Sequence, residues 1–265
     1  MKRILLAIVA LSCFHSYGQK DTIVDYLDQR KVNVVAKNKA HYTRLTIPKE
    51  SNFQVVIYSS DGQLVSDELF SDSKLSNKIG VHKLYHPNGR LQLTKQYNDQ
   101  SQLNGQFFAF FEDGSKNFGG MYKNDKRDGV WNFYYMNGNK IARLIYDQGV
   151  VKKHNLWYED GTVKDEELIF ERRPKFQKGE KDLNNYIRKH LLPKFRKSKF
   201  KGRLILHFAI NKEGRPVDIK IIPNTLPQDE INSIFAFFNE MPNWEPGIQL
   251  NRPVKVKYTL PLKLK

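Results

Sequence analysis

From Phe53 to Trp157 the chain reads as short runs of alternating apolar and polar residues, each closed by the same punctuation. The runs end FQVVIYSSDG at Gly62, GVHKLYHPNG at Gly89, GQFFAFFEDG at Gly114, GVWNFYYMNG at Gly138 and KKHNLWYEDG at Gly161, an internal repeat of 23 to 27 residues. Period-two alternation argues strands. Asp61, Asn88, Asp113, Asn137 and Asp160 each precede the closing glycine, and Asp-Gly or Asn-Gly predicts a two-residue hairpin turn with positive φ. Four residues before each glycine stands an aromatic: Tyr58, Tyr85, Phe110, Tyr134 and Trp157. These rings are expected to face the neighbouring hairpin, because a lone hairpin is marginal in water and must bury its rings against the next. The expectation for this part is a stacked β-hairpin array, a surface for binding rather than a pocket for chemistry.

The pattern changes past Phe170. Glu171-Arg172-Arg173-Pro174 breaks the repeat and reads as the start of a basic linker. Residues 181 to 192 carry Leu183, Tyr186, Ile187, His190 and Leu191 at helical spacing, with Pro193 as terminator. Residues 203 to 210 predict a strand, Asn211-Lys212-Glu213-Gly214 a turn, and Pro216 to Ile222 a second strand with Val217, Ile219 and Ile221 on one face. Pro227, Asp229 and Glu230 open a second helix with an apolar stripe of Ile231, Ile234, Phe235 and Phe238. After the Trp244-Glu245-Pro246-Gly247 corner, Val254 to Leu260 reads as the last strand. The order αββαβ implies a small two-layer α+β domain, with helices over one sheet face. Residues 19 to 52 read as a cap of the array, with strands over 26–35 and 42–47 and a turn at Lys37-Asn38-Lys39.

Two resemblances follow from these residues. Gly129-Val130-Trp131-Asn132-Phe133-Tyr134-Tyr135-Met136-Asn137-Gly138, with Tyr122 to Gly129 before it, resembles the bacterial variant of the MORN repeat. The likeness covers residues 80 to 161 and extends more loosely to 53–79, where Phe53 replaces the opening glycine. Residues 179 to 265 resemble the C-terminal domain of TonB proteins, periplasmic modules that engage outer-membrane receptors. The likeness rests on Gly202-Arg203, Asn211-Lys212-Glu213-Gly214, Met241 to Gly247, and Pro253-Val254-Lys255-Val256-Lys257-Tyr258-Thr259-Leu260-Pro261. It departs from that family in Leu192-Pro193, where the family has Tyr-Pro, and in hairpin repeats that replace a Pro-rich spacer. The resemblance implies that a partner's extended segment adds as a strand along Val254, Lys255, Val256, Lys257, Tyr258, Thr259 and Leu260.

Charge and targeting narrow the setting. Lys2 and Arg3 precede an apolar run from Ile4 to Leu11, and Ser16 and Gly18 are small residues at the −3 and −1 positions. This is the pattern of a secretory signal cleaved after Gly18; a lipid anchor on Cys13 and an uncleaved inner-membrane anchor are the alternatives. Cys13 is the single cysteine, so its removal leaves a chain without disulfides, as suits a bacterial periplasm. The net charge of +16 is concentrated between Glu171 and Arg203. Export argues against nucleic acid, and leaves an anionic envelope surface or a solvated domain boundary as readings of that stretch.

No Gly-x-Ser-x-Gly elbow, phosphate-binding glycine loop or His-Glu-x-x-His motif occurs. His82 and His86 lie on a strand, where four residues span ~13 Å, too far to share one ion. The expected division is a signal over 1–18, a cap over 19–52, repeats over 53–170, a basic linker over 171–180 and the TonB-like domain over 181–265. The expected function is that of a periplasmic adaptor that is not an enzyme and takes no cofactor or metal. It would bind an outer-membrane receptor or another envelope protein; an envelope scaffold that self-associates through the same edge is the alternative. Oligomeric state is left open by the sequence.

Overall fold

A computed structural model describes residues 21 to 264 apart from 197 and 224. The expected signal segment and Cys13 lie outside the described residues. The chain divides into two compact units at Val163.

The first unit is one antiparallel meander. Its strands are β1 (Ile23–Leu27), β2 (Tyr42–Lys49), β3 (Asn52–Ser59), β4 (Leu64–Phe70), β5 (Gly80–Tyr85), β6 (Leu91–Tyr97), β7 (Leu103–Phe110), β8 (Lys116–Lys123), β9 (Lys126–Tyr134), β10 (Lys140–Asp147), β11 (Val150–Trp157) and β12 (Val163–Lys164). They pair in chain order as a single 12-stranded sheet, so the hairpins join edge to edge rather than stacking face on face. The cap supplies β1 and β2 to this same sheet. β1 stops at Leu27, earlier than the expected 26–35 strand, because the Asp28 side chain captures the amides of Arg30, Val32 and Asn33 in a loop.

The repeat's turns differ from the two-residue form that Asn-Gly implies. His86 N–H donates to Arg90 O (2.8 Å) and Gly89 N–H to His86 O (2.8 Å), which encloses a three-residue loop. Equivalent bonds close the loops at Gly62, Gly114, Gly138 and Gly161. Only the glycine takes a positive φ, between 80° and 89° in the five copies. The preceding Asx stays at negative φ because its carboxamide or carboxylate works as a local acceptor: Asn88 Oδ1 takes the Arg90 N–H at 3.0 Å and Asp113 Oδ1 the Ser115 N–H at 2.8 Å. A type I turn with its third residue left-handed creates a glycine bulge, and the strand register shifts at these loops. Two-residue turns with both φ positive do occur, but between repeats, at Asn124-Asp125 and Gln148-Gly149.

Cross-strand partners share a face. One face carries the continuous row Leu84, Leu93, Ala109, Phe118, Phe133, Ala142 and Leu156. On the same face, the residue two after each repeat's opening glycine is His82, Phe107 or Trp131, and the first and last of these are fully buried. Trp131 meets Tyr122 at 5.1 Å and Phe107 at 5.8 Å between ring centres, lies 4.5 Å from the Arg127 guanidinium, and donates its indole N–H to Met121 O at 3.0 Å. Gly120 makes room for it: a Cβ there would fall 2.5 Å from the indole.

The second unit is α+β. Its elements are β13 (Glu171–Arg172), α1 (Glu180–His190), a 3-10 turn over Leu192–Phe195, β14 (Gly202–Ile210), β15 (Pro216–Ile222), α2 (Gln228–Asn239), β16 (Gly247–Gln249), β17 (Arg252–Val254) and β18 (Val256–Leu264). Acids in the first turn of α1 and bases in its last complement the helix dipole, while Leu183 and Ile187 bury its inner stripe. In α2 the inner stripe is Ile234, Phe237 and Phe238, and Met241 just past its end joins the same core. Phe235, expected inside, is 41% exposed while Phe237 is 3%; the 100° step per residue turns Phe235 away when Ile234 and Phe238 face in. The helices join one core with Leu204, Leu206, Phe208 and Ile210 of β14.

The expected linker belongs to this unit. β13 pairs with β16, Lys175 bridges to Glu245, and Phe176 is buried against Trp244 at 5.3 Å. The Asn211–Gly214 turn and the Met241–Gly247 corner also meet. Trp244 N–H donates to Gly214 O at 2.8 Å, and a Cβ on Gly214 would fall 2.0 Å from Trp244 O.

Candidate partner-binding edge and repeat surface

The sheet that holds the last strand has the order β15-β14-β18, so β18 pairs on one side only. Among the described residues no strand runs along its outer side. The strand begins later and ends later than expected. Val254 belongs to β17 and pairs with Gly247 in the separate β13-β16-β17 sheet, and Lys255 is the break between the two sheets. Of the expected edge residues, Val256, Lys257, Tyr258, Thr259 and Leu260 are on β18, which continues through Pro261, Leu262, Lys263 and Leu264. The signal for the missed half was present: apolar residues recur at every second position to Leu264, and Pro261 masks that run without interrupting it.

Two prolines fix which backbone groups face outward. Pro261 is opposite Ile205 and Pro216 is opposite Ile210. A residue without N–H fits only the pair that exchanges no bonds across its ladder. Pro261 therefore turns its nitrogen away from β14, and so, by alternation, do Lys257, Thr259 and Lys263. Pro216 sets the same phase independently: Ile210 then bonds toward β18, and Ala209 and His207 toward β15. The outer edge of β18 thus offers N–H and C=O groups from Lys257, Thr259 and Lys263, and a carbonyl alone from Pro261. Tyr258, Leu260 and Leu262 bond inward to β14.

Side chains follow the same alternation. Tyr258, Leu260, Leu262 and Leu264 pack into the core, while Lys257, Thr259, Pro261 and Lys263 are exposed on the face away from it. That face holds a groove of about 660 Å³ lined by His207, Ala209, Asp218, Lys220, Lys257 and Thr259. His207 Nδ1 and Thr259 Oγ1 are 2.9 Å apart, and Lys255 pairs with the Asp218 carboxylate. Asp218, at φ 54°, lies in a bulge of β15 where the register slips between His207–Lys220 and Ala209–Val217. The bulge puts Val217 on the open face, so it does not share a face with Ile221 as the plain alternation implies.

The repeat aromatics occupy a different place from the expected one. Tyr58, Tyr85, Phe110, Tyr134 and Trp157 all lie on the face opposite Trp131 and His82, each half-buried. Among the described residues none of the ring pairs includes them, whereas Lys140 Nζ sits 5.8 Å from the Trp157 ring centre. Their row therefore lies beside the row Asp67, Lys83, Thr94, Phe108, Gly119, Asn132 and Arg143, whereas His82 and Trp131, each two after an opening glycine, are fully buried on the other face.

At the loop end, consecutive repeats touch. Asn88 Nδ2 donates to Glu112 O (2.7 Å) and Asn137 Nδ2 to Glu159 O (2.9 Å). His86 Nε2 contacts Phe110 O (3.0 Å) and the Tyr135 hydroxyl donates to Trp157 O (3.1 Å). Asp61, Asp113 and Asp160 have no N–H to give; hydroxyl donors from Ser59, Ser115 and Thr162 instead hold their carboxyls below the usual range.

No family model matches the chain, and no curated protein matches it. Among the described residues no group of three or more His, Cys, Asp or Glu is arranged to hold a metal ion, and no helix is long and apolar enough to cross a membrane.

Proposed function

We propose that this chain is an exported, non-enzymatic binding protein of the bacterial envelope, an adaptor whose C-terminal unit takes up an extended segment of another protein. The segment adds as a strand along Lys257 to Lys263 of β18. The observation that carries this reading is the unpaired outer edge of β18, whose inner face is anchored in the core and whose outward amides are set in phase by Pro261. Such an edge draws affinity from backbone hydrogen bonds. The resemblance of residues 179 to 265 to TonB C-terminal domains supports the same site, with an outer-membrane transporter as partner and a contribution to TonB-dependent transport as the role. The signal-like first 18 residues support export. The hairpin array, similar to bacterial MORN variants, supplies a second surface.

The experiment is in-cell cross-linking of the tagged full chain, with partners identified by mass spectrometry, in parallel with Thr259→Pro. Proline at 259 repeats the chemistry of Pro261 and removes one outward donor, whereas proline at Tyr258 breaks the ladder to β14. An envelope protein cross-linked to β18 in the parent and lost from the folded variant is the expected result. The same partners recovered with both chains overturn the reading.

A further inference from the structure

The open side of this edge is basic, and its charge discriminates among occupants. Lys257 and Lys263 stand six residues apart on one strand, both exposed, with no carboxylate within ion-pair distance among the described residues. Arg203 lies across from Lys263 and Lys220 across from His207, so neighbouring strands extend the positive face. The single acid in the groove, Asp218, is taken by Lys255. Between the lysines, Tyr258, Leu260 and Leu262 present partly or wholly buried apolar side chains on the opposite face.

These features act against the self-association alternative. Full antiparallel pairing of β18 with a second copy, centred on Leu260, sets Lys257 directly opposite Lys263 at both ends. Like charges directly opposite destabilise a strand pair, and they do so here twice.

We infer that the occupant of the edge is an acidic extended segment of a different protein. It carries Asp or Glu at positions i and i+6, opposite Lys263 and Lys257, and apolar residues at i+1, i+3 and i+5, which extend the core past Leu262, Leu260 and Tyr258. Position i+2 faces Pro261, which gives no donor, so a well-bound register leaves that carbonyl to water. This inference rests on the strand-addition reading above and adds to it the chemistry of the partner.

The test is fluorescence anisotropy of labelled seven-residue peptides against the full chain. One is Glu-Val-Thr-Val-Thr-Val-Glu, a second has Lys at both ends, and a third is the acidic peptide N-methylated at alternate amides to block strand pairing. The acidic peptide is expected to bind about tenfold more tightly than its lysine counterpart, the size of two exposed ion pairs exchanged for two repulsions. The preference should shrink with added salt and reverse with Lys257→Glu combined with Lys263→Glu. N-methylation and Thr259→Pro should each abolish binding, and the peptide arm keeps the test valid if that variant misfolds. Equal binding of both unmethylated peptides, lost on N-methylation, overturns the acidic inference and leaves strand addition standing. Acidic binding that survives N-methylation overturns strand addition, since charge alone then suffices. Failure of every peptide to bind overturns both.

Discussion

Replacing Gly214 by alanine tests the closest backbone approach in the second unit. Gly214 is the left-handed residue of a three-residue loop, at φ 81°, with Asn211 N–H bonded to Arg215 O and Gly214 N–H to Asn211 O. Gly138 closes the same kind of loop at φ 88°, but a Cβ there meets nothing within 4 Å. Gly138→Ala therefore isolates the left-handed strain, about 1–2 kcal/mol. Gly214→Ala carries that strain and also drives Cβ to 2.0 Å from Trp244 O, a contact that no rotamer can relieve because both partners are backbone. Separating them breaks the Trp244 N–H bond to Gly214 O, about 1 kcal/mol, and shifts Trp244 against Phe208 and Tyr258, with repacking of about 1–3 kcal/mol. Hydrogen exchange followed by mass spectrometry reads each unit separately. The opening free energy of β14 amides should fall by roughly 3–6 kcal/mol in Gly214→Ala, against about 1–2 kcal/mol for β9 and β10 in Gly138→Ala. Equal losses in the two variants refute the argument, since loop strain would then account for everything.

Burial alone would raise the Glu68 carboxyl, but the His82 ring, with Nδ1 3.6 Å from the carboxylate, together with Lys78 and Lys95, outweighs it and holds the group below its ordinary 4.5. A depressed carboxyl stabilises above its unfolded pKa, so the first unit should lose stability as pH falls through 4.5 and below; a pH series of urea melts should show this loss diminished in Glu68→Gln. Asn137→Asp keeps the loop acceptor but loses the donor to Glu159 O, and should weaken protection of β11 by about 1 kcal/mol, whereas Asp113→Asn should cost little at the same loop position. Phe237→Ala should cost about 3–5 kcal/mol in denaturant melts and Phe235→Ala no more than roughly 0.5 kcal/mol; comparable losses would place the α2 stripe where the sequence pattern put it.

The hairpin array and the α+β order are legible in the sequence because they depend on local chemistry. An Asx side chain and a following glycine decide their own loop within five residues, and repetition of that loop every 23 to 27 residues lays out the strands whatever the chain meets later. Polar ends and apolar periodicity likewise mark both helices to within a few residues. Other features were decided by partners distant in sequence. Alternation puts the conspicuous aromatics on one face of the repeat strands and His82, Phe107 and Trp131 on the other, but only the neighbouring strands settle which face becomes the interior. The bulge at Asp218 turns Val217 over, against the plain alternation of its strand. Pro261 looks like a terminator in one dimension, because a missing N–H costs a bond wherever a strand is paired on both sides. Beside β14 alone it costs none, and β18 runs on to Leu264. The edge that this leaves open exists only in three dimensions: alternation gives a strand its two faces, but only the order β15-β14-β18 gives it a free side.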